Sequence, residues 1–62
     1  MEQLTFKQIR QLKGIKSGFV SVKLGISRQA LFNKESGKTK FTALEAQKLC
    51  DLYGVSIADV KL

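Results

Sequence analysis

Residues 14–40 read GIKSGFVSVKLGISRQALFNKESGKTK, and this stretch decides the fold. Gly25 can adopt the positive φ that a sharp exit from a helix requires, and the Ser27 hydroxyl can cap the helix that follows. The stretch therefore predicts two short helices, over about 17–24 and 28–35, joined by a tight turn and followed by a basic loop.

Two further helices are predicted, one on either side of this stretch. Each begins with the spacing of a capping box, Thr5 with Gln8 and Thr42 with Glu45. The predicted helices run over about 6–13 and 43–53. Apolar residues at spacings of three and four would form their inner faces: Phe6, Ile9 and Leu12 in the first, and Ala46, Leu49, Cys50 and Tyr53 in the second.

A last short helix is predicted over about 57–61, because Ser56 can cap it. No segment alternates between polar and apolar residues as a strand would. The sequence therefore predicts a compact all-α fold of five helices, in a single domain that covers residues 1–62.

The size and composition argue against an enzyme. A chain of 62 residues buries only about 60% of its unfolded surface, which leaves little room for an enclosed active site. Cys50 is the only cysteine and histidine is absent, so neither an intrachain disulfide nor a Cys/His metal site can form. We expect no cofactor, no catalytic residue and no bound metal.

Because no apolar run reaches the length of a membrane span, we also expect no membrane partner and a cytoplasmic location.

The charge is strongly basic and unevenly distributed. The net charge is +6, from 11 basic and 5 acidic residues. Residues 1–40 contain nine of the basic residues and only two acidic ones, Glu2 and Glu35. Such a surface could simply keep the protein solvated, but its position around the two short helices favours an anionic partner such as nucleic acid.

The chain resembles the lambda-repressor-like helix-turn-helix domains, which include the Cro and Xre-type regulators of phages and bacteria. The resemblance covers nearly the whole chain and rests on Ile9-Arg10, Gly14-Ile15, Val20, Leu24-Gly25-Ile26-Ser27, Leu31, Glu35-Ser36-Gly37-Lys38, Leu49-Cys50 and Gly54-Val55-Ser56. It implies a sequence-specific transcriptional regulator that binds double-stranded DNA with its third helix in the major groove, in a bacterial or phage-infected cell. It also implies dimers on near-palindromic sites.

The resemblance assigns base reading to Arg28, Gln29 and Asn33. Their chemistry agrees, because arginine can form two hydrogen bonds to guanine, and glutamine or asparagine can do the same with adenine. Phe32 is expected to contact a thymine methyl group or a neighbouring subunit, although an inert exposed ring or a core residue remains an alternative.

The resemblance also assigns contacts to DNA phosphates and one structural ion pair. The expected phosphate contacts are Ser17, Ser27, Ser36, Lys38, Thr39 and Lys40. Arg10 and Glu35 match a partly buried ion pair of some relatives; the alternative is two independent solvated charges. The dimer contacts would come from the last helix region, with Leu52, Ile57, Val60 and Leu62. Because this apolar surface is small, we expect a weak dimer or a monomer that pairs on DNA.

The chain departs from its relatives at the start of the second helix. Gly18 weakens that helix, while Phe19 and Val22 put apolar side chains where relatives are polar. Phe19 could instead fill space in the core beside Ala46. If Phe19, Val22 and Phe32 are exposed, an alternative function is an interaction module that binds a protein, as antitoxins and anti-repressors do.

We expect Cys50 to be buried and inert, and Phe41 and Tyr53 to be packing residues.

Overall fold

The computed structural model describes residues 3–61 and consists of four α-helices and one 3-10 turn. The helices are α1 (Phe6–Leu12), α2 (Ser17–Leu24), α3 (Arg28–Glu35) and α4 (Ala43–Tyr53), and the turn covers Ile57–Asp59. The predicted all-α class is confirmed. Within residues 3–61, extended pairing is limited to one parallel bridge, between Leu4 and Val60.

The prediction of a fifth α-helix over 57–61 is wrong. The segment forms a single 3-10 turn, with the Ser56 hydroxyl accepting from the N–H of Ala58. Val60 then has extended backbone angles, φ −107° and ψ 132°, and the N–H of Lys61 donates to the carbonyl of Leu4 at 2.8 Å. The pairing with the start of the chain therefore replaces a further helical turn.

The predicted helix starts are present. Thr5 with Gln8 and Thr42 with Glu45 both form complete capping boxes. Gly25 ends α2 in the left-handed region, at φ 70°, and the N–H of Ile26 donates to the carbonyl of Ser21 at 3.0 Å. These local signals set the helix–turn–helix geometry of α2 and α3.

One apolar core joins the four helices and the last turn. Its buried side chains are Phe6, Ile9, Val20, Leu24, Leu31, Ala46, Leu49, Cys50, Tyr53 and Val60. Phe41 packs edge-to-face against Phe6, with ring centroids 5.2 Å apart. Cys50 is buried as expected, and burial, with a smaller effect of Asp51, raises the pKa of its thiol.

The burial of two apolar side chains, Leu12 and Val60, differs from the prediction. Leu12 is 76% exposed, because it is the last residue of α1 and lies about 120° around the helix from Phe6. Val60, expected at a dimer surface, is only 3% exposed and belongs to the core. Ile57 is half-exposed, Leu52 is partly buried, and Leu62 lies outside the described residues. Within residues 3–61, the expected dimer surface is thus reduced to Ile57 and part of Leu52.

The longest helix in residues 3–61, α4, has 11 residues, and none of the helices there combines the length and apolarity needed to cross a bilayer. In the same part of the chain, no three Cys, Asp or Glu side chains are grouped so that they could hold a metal ion.

Candidate nucleic-acid interface

Helix α3 buries one side and exposes the residues that were expected to read DNA. Leu31 is fully buried, whereas Arg28, Gln29 and Phe32 are exposed and Asn33 is partly exposed. An α-helix with its side chains is about 10 to 12 Å in diameter, and the DNA major groove, which is roughly 12 Å wide, can admit it. The structure therefore presents a polar helix face of suitable size.

Gln29 and Asn33 lie one helical turn apart and form a hydrogen bond. The Gln29 Nε2 donates to Asn33 Oδ1 at 3.2 Å. Because a glutamine amide has two N–H donors and an oxygen acceptor, Gln29 keeps one donor and its acceptor available, and Asn33 keeps both N–H donors. The bond fixes the relative orientation of the two amides before any ligand is bound.

The basic loop after α3 is attached to the same helix through one carbonyl group. The carbonyl oxygen of Asn33 accepts from the N–H of Lys38 at 2.9 Å and from the N–H of Thr39 at 3.2 Å. It also accepts from the Ser36 hydroxyl at 3.1 Å. Gly37 has φ 88°, which only glycine adopts readily. The candidate base-reading residues on α3 and the cationic loop are consequently connected by these hydrogen bonds.

The predicted phosphate contacts differ in whether their hydrogen-bond donors are available. Lys38, Thr39 and Lys40 have exposed side chains. In contrast, the Ser36 hydroxyl donates to Asn33 and its N–H donates to the carbonyl of Phe32. With both donors engaged, Ser36 holds the loop in shape and, in this conformation, has no donor for a phosphate.

Helix α2 begins at Ser17. Its N-cap residue is Lys16, and no side chain caps the helix. The first N–H groups of α2 are thus without a side-chain partner, which favours an anion at that position. Ser27, by comparison, caps α3 by accepting from the N–H of Ala30 at 3.1 Å, and its O–H donor remains available.

A groove of about 260 Å³ lies between α1, the start of α2 and α3. It is lined by Lys7, Arg10, Ser17, Arg28, Phe32, Glu35 and Ser36. The side chain of Arg28 makes no hydrogen bond or ion pair with any residue between 3 and 61. Sequence reasoning missed Lys7, which reaches this groove from α1 because only the tertiary fold brings α1 beside α3.

Arg10 and Glu35 form an ion pair between α1 and the end of α3. Arg10 Nε lies 2.8 Å from Glu35 Oε2, and Nη2 lies 3.1 Å from Oε1. Arg10 Nη1 also donates to the carbonyl of Ile15 at 3.0 Å. The side chains are only 14% and 6% exposed, and the hydrogen bond to Glu35 raises the pKa of Arg10. The pair fixes the angle at which α3 leaves the core.

A second ion pair, between Lys34 and Glu45, was not anticipated from the sequence. Lys34 Nζ lies 2.9 Å from Glu45 Oε1 and donates to the carbonyl of Lys40 at 3.1 Å. The backbone hydrogen bond from Thr42 and then the bond from Lys34 lower the pKa of Glu45. The capping-box spacing had already accounted for Glu45, so no local signal pointed to Lys34.

The exposed apolar side chains near this interface lie on α2 and α3. Phe19, Val22 and Phe32 are 50%, 78% and 60% exposed. The suggestion that Phe19 fills the core is wrong: its ring lies outside, with Lys23 Nζ 5.4 Å from the ring centroid.

These features define a helix-turn-helix protein. The second helix of the motif is α3, and it carries the exposed polar face. A family model described as helix-turn-helix matches residues 6–60. The chain therefore belongs to the helix-turn-helix family of Cro and repressor type, a family of DNA-binding transcription regulators. A comparison with curated proteins finds no match.

Proposed function

We propose that this protein is a sequence-specific transcriptional regulator that places α3 in the major groove of double-stranded DNA. One observation carries the proposal: the carbonyl of Asn33 holds the basic loop through Ser36, Lys38 and Thr39, directly behind the exposed amides of α3. A loop that grips the backbone and a helix that reads bases must keep a fixed register, and this bonding supplies it.

Base reading is assigned to Arg28, Gln29 and Asn33. The guanidinium of Arg28 suits O6 and N7 of guanine, and the oriented amides of Gln29 and Asn33 suit N6 and N7 of adenine. Each good contact of this kind is worth about 1 to 3 kcal/mol of discrimination. Phe32, exposed one turn after Arg28, is assigned to a thymine methyl group.

Phosphate contacts are assigned to Ser17, Lys38, Thr39 and Lys40, with Ser27 able to add its O–H. The proposal omits Ser36 as a direct contact, because both its donors are used within the loop. Seven of the cations in residues 3–40, namely Lys7, Lys13, Lys16, Lys23, Arg28, Lys38 and Lys40, have no ion pair among residues 3–61. This positive surface supports a partner whose affinity depends on salt.

Regulation would follow from occupancy, because a bound domain excludes polymerase or a rival regulator from the same DNA. Two copies on a symmetric site would lie about 10 to 10.5 base pairs apart. The apolar surface at Ile57 and Leu52 is small, so we propose that pairing occurs mainly on DNA.

Selection of bound sequences from a random pool of duplex DNA tests the proposal. A two-fold symmetric site is expected. On that site, Gln29→Ala should relax the preference at one or two base pairs while non-specific binding is kept. Equal losses on the selected site and on random DNA would contradict base reading by Gln29.

A pair of lysine variants tests the phosphate contacts. Lys38→Ala should weaken binding to all sequences alike and reduce the slope of log K against log salt by about 0.9. Lys48→Ala is the matched control, because it removes the same charge from the exposed side of α4 and should change neither quantity. Equal effects of the two variants would mean that only the net charge matters.

A second candidate function is binding of a protein partner, and the exposure of Phe19, Val22 and Phe32 favours it. Association through these side chains would depend little on salt. If no DNA sequence is selected from the pool and DNA affinity is weak at every salt concentration, this candidate replaces the first.

A further inference from the structure

Gly18 lies directly against the guanidinium of Arg28. A Cβ added at Gly18 would lie 3.1 Å from Arg28 Nε, 3.2 Å from Nη2 and 3.4 Å from Cζ. Ordinary contacts between such atoms are about 3.5 to 4.0 Å. A side chain at position 18 would therefore displace the guanidinium of Arg28 by a few tenths of an ångström.

The Arg28 side chain forms no direct ion pair or hydrogen bond with residues 3–61. The first turn of α2 contains no acidic residue, and Glu35, which lines the same groove, is paired with Arg10. The positive end of a helix dipole is an unfavourable place for a cation. The contact thus depends on shape, namely on the space above the backbone of Gly18.

The contact lies on one side of the Arg28 guanidinium. The Nε and Nη2 atoms are the guanidinium nitrogens nearest to Gly18, and Nη1 is farther away. The end of the group, with Nη1 and Nη2, can form two parallel hydrogen bonds to a planar acceptor. Arg28 also lines the groove between α1, α2 and α3 together with Phe32.

We propose that Gly18 is a specificity-determining residue: the absence of a side chain at this position on α2 sets where Arg28, on α3, presents its guanidinium to a guanine. Gly18 itself contacts no base and acts by positioning. The inference rests on the proposed base reading by Arg28. It explains why a residue that weakens a short helix stands in its first turn.

The test compares Gly18→Ala, Gly18→Gln and Arg28→Ala on the DNA site selected by the wild-type protein. The base pair read by Arg28 is the one at which Arg28→Ala loses discrimination. A good double contact gives about 5- to 150-fold discrimination. At this base pair, Gly18→Ala should reduce the discrimination by about three- to tenfold, because the guanidinium must move by a few tenths of an ångström. Gly18→Gln should reduce the discrimination nearly as much as Arg28→Ala does.

Stability and specificity should change in opposite directions. Alanine favours a helix more than glycine does, so Gly18→Ala should raise Tm by about 4 to 8 °C while discrimination falls. A purely structural role of Gly18 would not lower discrimination. Gln47→Ala is the control, since it also favours helix formation but lies on α4, outside the groove lining, and it should leave discrimination unchanged.

A double-variant cycle and the contact itself complete the test. In the Arg28→Ala background, Gly18→Ala should have no further effect on discrimination. In the wild-type protein, nuclear Overhauser effects should connect the Gly18 Hα protons with the Arg28 side chain. Unchanged or improved discrimination in Gly18→Ala overturns the inference about Gly18. If Arg28→Ala keeps the wild-type preference at every base pair, the base-reading role of Arg28 fails first, and the inference fails with it.

Discussion

Glu35→Gln is expected to destabilise the protein strongly, because it removes the charge that Arg10 faces. Arg10 donates to both carboxylate oxygens of Glu35, at 2.8 and 3.1 Å. Glutamine has nearly the same shape but only one oxygen. One of the two hydrogen bonds is lost, the other becomes a bond to a neutral acceptor, and Arg10 keeps its bond to the carbonyl of Ile15.

The magnitude follows from the burial of the pair. Removing one partner of a fully buried ion pair costs about 3 to 5 kcal/mol. The Arg10 side chain is still 14% exposed, and one hydrogen bond to glutamine remains, so we expect a loss of about 2 to 3 kcal/mol in the free energy of unfolding. For a domain of this size, that loss lowers Tm by roughly 10 to 20 °C.

Thermal unfolding followed by circular dichroism measures this effect, and Glu45→Gln is the matched control. Glutamine also serves in a capping box, so Glu45→Gln removes the charge opposite Lys34 and keeps the helix cap. That pair has a single contact, at 2.9 Å with both side chains 15% exposed, and its loss should cost only about 1 kcal/mol. A Tm for Glu35→Gln within about 2 °C of the wild type would refute the argument, because Arg10 and Glu35 would then act as independent charges.

Four further predictions concern three titratable groups, Tyr53, Glu45 and Cys50. Burial and the charge of Glu35 raise the pKa of Tyr53, the only tyrosine, to about 12. The absorbance of its phenol should therefore titrate near that value in the native protein. The free energy of unfolding should fall as pH rises from about 10 to 12, because the unfolded tyrosine ionises first, and Tyr53→Phe should lack this fall. The buried hydroxyl of Tyr53 has no hydrogen-bond partner among residues 3–61, so Tyr53→Phe should be at least as stable as the wild type at pH 7, and a loss above about 1 kcal/mol would contradict this. The pKa of Glu45 is lowered in the folded state, so its contribution to stability should be lost as pH falls from about 4.5, and Glu45→Gln should show a shallower acid transition. Cys50 is buried with a raised thiol pKa, so it should react with a disulfide reagent only in denaturant, whereas rapid reaction of the native protein would show that its part of the core opens.

The helix limits could be predicted because they depend on neighbours within four residues. A capping box needs only Thr5 and Gln8, and the exit from α2 needs only the positive φ of Gly25. The resemblance to a known family added the pairing of Arg10 with Glu35, which are separated by 25 positions. The fifth helix was predicted wrongly because a cap at Ser56 also permits a 3-10 turn, and the pairing of Val60 with Leu4 ends that turn.

The candidate site was only partly predictable for the same reason. The resemblance to a known family assigned base reading to side chains on α3, and the chemistry of those side chains agreed with it. The sequence did not indicate that Ser36 uses both its donors inside the loop, that Lys34 is engaged with Glu45, or that Lys7 reaches the groove. Each of these depends on distances between elements that are far apart in sequence.

Local sequence signals were enough for four helix starts, the turn at Gly25 and the basic character of residues 1–40, and the family resemblance added the candidate readers and the pair of Arg10 with Glu35. Only the folded structure shows that Leu12 lies outside, that Val60 lies inside, that Lys34 pairs with Glu45 and that Gly18 meets Arg28. The physical reason is that caps and turns are stabilised by bonds within a few residues. Burial and ion pairing depend on which faces of α1, α2, α3 and α4 come together, and the packing of the whole chain sets that arrangement.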